Sequence, residues 1–152
     1  MEVSQKTNDY NAALTSLRSE LAKTYDEAFI YKLVVDILSK FTYFSWIGVY
    51  FFNPVTKEFY LGYYTGKITK TSVIKLDQLK FDKFEIINDI DIKHKLSVCP
   101  DVYSECKLFL RINNDILGLI AIGSEKPNIF DEIDRRFLLE IAETVADKIY
   151  HH

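Results

Sequence analysis

Glycine, histidine and cysteine are all scarce in this 152-residue chain, and each scarcity removes a class of function. The five glycines are too dispersed to build a loop that cradles phosphate on backbone N–H groups, which argues against nucleotide hydrolysis and dinucleotide binding. Three histidines, two of them the terminal His151 and His152, and two cysteines give no metal-ligand spacing. No metal and no cofactor is therefore expected. Two cysteines behind an N-terminus, Met1 to Gln5, that lacks the layout of a secretory signal imply reduced thiols and a cytoplasmic location. No apolar run reaches the roughly 18 residues of a membrane-spanning helix, so no membrane partner is expected. Basic charge is in deficit, with 19 Lys and Arg against 22 Asp and Glu and a formal net charge of −3. That balance excludes the basic stripe of a nucleic-acid footprint. Lys67, Lys70, Lys75, Lys80 and Lys83 do cluster, but Asp77, Asp82 and Glu85 dilute them into a solvated loop face.

What remains is a chain with 48% hydrophobic residues, long enough to bury a core as one domain. It carries no internal repeat, linker or low-complexity tract. Tyr10, Leu14, Leu17 and Leu21 recur at helical spacing and predict an amphipathic helix over 8–22. A second helix is expected from Thr24, which has the spacing of a capping box with Glu27, and its apolar positions are Phe29, Leu33, Val34, Ile37, Leu38 and Phe41. Strands are expected over 45–52 and 58–64, joined by a turn at Asn53–Lys57 in which Pro54 presets the backbone. Residues 67–84 are polar and weakly patterned. A short strand at 85–88, an irregular loop over 93–100, and two strands over 102–112 and 116–124 follow. Asp131 then caps a long C-terminal helix with the stripe Ile133, Phe137, Leu138, Ile141, Val145 and Ile149.

The expected architecture is α+β: a central antiparallel sheet of about five to six strands, with the N- and C-terminal helices on one face. Side chains alternate along a strand, so Trp46, Gly48 and Tyr50 share one face and Ile47, Val49 and Phe51 the other. By the same alternation Tyr60, Gly62 and Tyr64 oppose Phe59, Leu61 and Tyr63. One face is apolar and suits helices. The other mixes large rings with glycine, which either leaves room for a small guest or is ordinary aromatic strand composition.

Four segments carry a resemblance: Trp46-Ile47-Gly48-Val49-Tyr50, Leu61-Gly62-Tyr63-Tyr64-Thr65-Gly66, Ser104-Glu105, and Gly118 to Ser124 followed by Phe130-Asp131. On these the chain resembles a stand-alone GAF domain, with residues 1–24 as an N-terminal helix and 25–150 as a GAF/PAS-like core. Within that family it is most similar to the free methionine-(R)-sulfoxide reductases. The resemblance implies that Trp46 and Tyr50 wall a pocket, with Tyr64 beside them, and that Glu105 supplies a pocket carboxylate. It also implies that Cys99, ten residues after Asp89, is the one candidate for an attacking thiol, with thioredoxin or another thiol as reductant.

The departures cut the other way. The family has two aspartates where this chain has Ala121 and Gly123, and it has a loop bearing a second, resolving cysteine that 68–84 lacks. Losing charge-assisted hydrogen bonds to those carboxylates removes about 1.5–3 kcal/mol each. Cys106, on a strand with Leu108 and Leu110, reads as a buried small hydrophobe. Cationic neighbours His94, Lys93 and Lys95 would lower the pKa of Cys99, and the alternative reading of the same loop is an unreactive surface thiol.

Three readings follow. The first is a sensor or regulatory module binding a compact apolar or cationic small molecule between Trp46, Tyr50, Tyr64 and Glu105, in space enlarged by Ala121 and Gly123. The second is a divergent reductase relying on Cys99. The third is a pocketless domain. A homodimer through the terminal helices is compatible with all three.

Overall fold

The computed structural model describes residues 3–69, 71–88 and 98–151. Two helices, α1 (Val3–Leu21) and α2 (Glu27–Leu38), precede the strands β1 (Trp46–Asn53), β2 (Glu58–Thr65), β3 (Val73–Lys75), β4 (Phe84–Ile87), β5 (Ser104–Ile112) and β6 (Asp115–Ser124). Helix α3 (Glu132–Tyr150) closes the chain, and a single 3-10 turn, Leu76–Gln78, follows β3. The strands form one six-stranded antiparallel sheet in the order β3-β2-β1-β6-β5-β4. All three helices pack on one face of it. The expected fold class is the observed one.

Helix starts follow local chemistry. Asp131 caps α3 by accepting from the Ile133 and Asp134 amides, and Asp134 returns the bond to the Asp131 amide at 2.9 Å. For α2 the expected cap is displaced. Asp26, not Thr24, is the N-cap and accepts from the Ala28 amide at 3.1 Å. Thr24 instead receives the Asp26 amide, and Glu27 accepts the Tyr31 hydroxyl at 2.9 Å rather than boxing back. The buried stripe is Ile30, Tyr31, Val34, Val35, Ile37 and Leu38, and Phe29, expected within it, is exposed.

The helix-side core joins Leu14, Leu17 and Leu21 of α1 and Phe137, Leu138, Ile141 and Val145 of α3 to Ile47, Val49, Cys106, Leu108, Leu110, Ile120 and Ile122 of the sheet. Each such side chain contributes about 1.5–3 kcal/mol by leaving water. The apolar stripes of α1 and α3 are thus spent within the chain. Helix α1 is also fixed by charge: Lys6 donates to the buried Asp134 at 2.6 Å, and Tyr10, stacked on Phe137, donates to the other Asp134 oxygen.

A bulge separates the observed sheet from simple alternation. Val49 pairs with Tyr63 and Tyr50 with Leu61, so Gly62 has no partner on β1. A Cβ at Gly62 would lie 1.9 Å from the Phe51 ring. Alternation therefore flips at Gly62: Phe59 and Leu61, not Tyr60, share the face of Trp46 and Tyr50, while Tyr63 joins the helix side. The weakly patterned 67–84 segment also folds back. Ile74 of β3 pairs with Phe59, and Ile74 and Leu79 bury themselves over the sheet's second face. Both faces are consequently covered. Truncating Leu17, which is fully buried between the helices and the sheet, to alanine is expected to cost about 2–5 kcal/mol, read from urea unfolding.

Candidate functional site

Three ladders of paired residues define the second face. Trp46, Gly123 and Glu105 stand side by side on β1, β6 and β5; Gly48, Ala121 and Lys107 form the next row; Tyr50, Leu119 and Phe109 the third. Small residues occupy the centre, and the protein fills the space they leave. The Trp46 indole lies flat over Gly48, where a Cβ would come within 2.3 Å of the ring. Cys99 and Val102 sit on Gly123, where a Cβ would fall 2.7 Å from the Cys99 Cβ and the Val102 Cγ1. The room expected over Gly123 is therefore occupied by Cys99 and Val102, and Ala121 beside it is fully buried.

The polar ends of the expected site residues all hold neighbouring segments. Trp46 Nε1 donates to the Lys67 carbonyl at 2.8 Å, and the Tyr50 hydroxyl donates to the Thr71 carbonyl at 2.7 Å. Glu105 is fully buried, and its Oε1 accepts the Val98 and Cys99 amides at 2.9 and 2.8 Å. Its Oε2 accepts from Lys107 Nζ at 2.7 Å, and Lys107 also donates to Glu85 at 3.0 Å. Tyr64 remains at the rim, 42% exposed, its ring 6.0 Å from that of Trp46. Above these residues lies a shallow cavity of about 340 Å³. Lys67, Thr69 and Thr71 line one side of it and Val98, Cys99 and Asp101 the other.

Cys99 is not a surface thiol in the structure. It is buried, and burial pushes its pKa well above the ordinary thiol value, with the Glu105 carboxylate reinforcing the shift and Lys107 opposing it. Asp89, Lys93, His94 and Lys95 lie outside the described residues. Burial and the Glu105 charge likewise hold the Tyr50 hydroxyl above its usual range. Cys106 lies on the helix side among Leu108 and Leu110, as its alternation implies. The sheet separates the two thiols.

Lys107 and Glu85 were not anticipated. The signal existed: Lys107 follows Glu105 by two on an alternating strand, so both had to share a face. Glu85 is the β4 partner of Lys107 in register. Burial of lysine is rare without a partner, and here the Glu85–Lys107–Glu105 triad supplies two.

No protein-family model and no curated protein matches the chain. Solved structures do. The free methionine-R-sulfoxide reductase from Neisseria meningitidis, in complex with its substrate, superposes with a TM-score of 0.86 at 20% identity, over 99% of this chain and 93% of that one. The type II free methionine-R-sulfoxide reductase from Thermoplasma acidophilum gives 0.69 at 20% identity, over 82% and 92%. The GAF domain of a phosphoenolpyruvate-protein phosphotransferase from Coxiella burnetii gives 0.81 at 15% identity, over 95% of each. The chain has the α+β GAF fold, which reductases and GAF domains of other proteins share.

Two outcomes follow from this packing. Gly123→Ala is expected to destabilise the protein by about 1–3 kcal/mol in urea titrations, because its Cβ must displace Cys99 and Val102. The alkylation rate of Cys99 is expected to keep rising with pH beyond about 8.5, the ordinary thiol midpoint, since the folded state disfavours the thiolate; a plateau below that pH contradicts the assignment.

Proposed function

We propose that the chain, residues 1–152, is a small-molecule-binding GAF module with a sensor or regulatory role, diverged from the free methionine-R-sulfoxide reductases. The ligand site is the second face of the sheet, with Trp46 and Tyr50 as walls, Tyr64 at the rim and Glu105 as the polar contact, over the small floor of Ala121 and Gly123. The observation that supports this most is the Glu105–Lys107 ion pair buried at the centre of an otherwise aromatic and aliphatic cluster. Replacing such a pair by well-packed apolar residues is often neutral or stabilising, so scaffold stability alone is a poor reason for its presence. The triad with Glu85 carries one surplus negative charge, which favours a cationic or neutral ligand over an anion. Rings beside a carboxylate suit such a molecule by stacking and cation–π attraction.

A second reading, a single-thiol reductase, draws on one observation: Cys99 is buried against Glu105, to which its amide donates and which shares a row with Trp46. In that chemistry the Cys99 sulfur takes the sulfoxide oxygen, becoming a sulfenic acid and releasing the thioether, and two equivalents of an external thiol return it with water and a disulfide. The raised thiol pKa and the placement of Cys106 on the far side of the sheet weigh against it. A homodimer built on the terminal helices would have to use their outer faces, because their apolar stripes are buried.

The test is thioredoxin- or dithiothreitol-coupled turnover of free methionine-(R)-sulfoxide, wild type against Cys99→Ser, paired with a thermal-shift screen of small cationic and neutral molecules. The binding-module reading expects no turnover from folded protein and a ligand-dependent rise in Tm that is lost in Trp46→Ala. Turnover abolished in Cys99→Ser would give the function to the second reading.

A further inference from the structure

Val98 and Cys99 contribute to the cavity on one side and donate their N–H groups to Glu105 on the other, so a layer one residue thick separates the cavity from the buried site. Among the described residues, three sets of contacts pin the layer from the site side and the rim. Glu105 Oε1 takes both amides, the Thr69 hydroxyl donates to the Val98 carbonyl at 2.6 Å, and the exposed Lys67–Asp101 pair spans the cavity rim at 2.8 Å. Asp101 turns the chain with φ of 55°, a left-handed conformation that a non-glycine residue adopts at a cost. The facing segment is held the same way, by Trp46 through the Lys67 carbonyl and by Tyr50 through the Thr71 carbonyl. Trp46 Nε1, the Tyr50 hydroxyl and Glu105 Oε1 are thus each engaged by one of two covering segments.

We infer that Val98–Asp101 is a latch over the site, closed by Glu105 and Thr69, and that it opens by local unfolding while the sheet and helices stay folded. Ligand entry then exchanges partners. The two amide donors on Glu105 give way to donors of the ligand, so the occupant must bring an N–H or O–H group to this carboxylate. This deepens the proposed binding function by naming how the site is regulated, and its test requires no ligand. Failure of the latch and failure to bind are thereby separable.

The two cysteines make the opening measurable. Cys99 belongs to the latch and its side chain is buried against the second face, whereas Cys106 is sealed on the helix side and becomes reactive only through wider unfolding. Alkylation of the native protein, resolved for each cysteine by peptide mass analysis, is expected to modify Cys99 at least about tenfold faster than Cys106. Thr69→Val removes one pin without touching the charge near the sulfur, and is expected to accelerate Cys99 severalfold and leave Cys106 unchanged. In Glu105→Gln the amide must turn its NH₂ toward either Lys107 or the two backbone donors, so one set of bonds is lost. Because this variant also makes the thiol more acidic, it is read by hydrogen exchange at the Val98 and Cys99 amides, with an expected gain of roughly tenfold or more. Equal labelling of both cysteines, a parallel rise of both in Thr69→Val, or unchanged Val98 and Cys99 exchange in Glu105→Gln would each overturn the latch.

Discussion

The carboxylate of Glu105 is the constraint on which the second face depends. A buried carboxylate is tolerable only when its oxygens are matched by donors, and here two backbone amides and an ammonium do so. Those bonds fix three things together. They set the path of the chain at Val98 and Cys99, they hold the Lys107 ammonium between Glu105 and Glu85, and they tie edge strand β4 to the site through Glu85. The glycine at 123 is the steric counterpart, since any Cβ there would collide with Cys99 and Val102. Charge and shape therefore specify the same closed arrangement.

Much of this fold is written in the sequence as periodicity. The stripe Tyr10, Leu14, Leu17 and Leu21, the alternation from Cys106 to Ile112, and the capping Asp131 all led to the elements observed, because each depends on neighbours within a turn or a strand. The missed features depend on distant partners. The bulge at Gly62 arises from the pairing of β2 with β1 and reverses which tyrosines and phenylalanines share a face. The cover formed by Ile74 and Leu79 comes from a segment too polar to show a pattern of its own. Thr24 looked like the cap of α2 because its spacing to Glu27 fits, yet Glu27 is engaged by Tyr31 and Asp26 sits one position ahead of the helix.

The candidate site was legible in its membership more than in its state. Trp46, Tyr50, Glu105, Ala121, Gly123 and Cys99 do come together on one face, and Tyr64 borders them. Composition could not reveal that Trp46, Tyr50 and Glu105 already bond the backbone of Lys67, Thr71, Val98 and Cys99. Nor could it show that burial turns Cys99 from a loop thiol into a protected one. Lys107 lay in plain view two residues beyond Glu105, but its importance rests on burial, which strand alternation alone does not give to a lysine.

On the proposed function, the buried Glu105–Lys107 pair serves a ligand site and not the scaffold. The most direct measurement is the unfolding free energy of the double variant Glu105→Gln, Lys107→Met. With the ammonium gone, the glutamine carbonyl can face the Val98 and Cys99 amides and the methionine can pack over Ala121. The account predicts stability within about 1 kcal/mol of wild type, or above it. A loss of several kcal/mol would show that the pair holds the fold itself, and would contradict the claim.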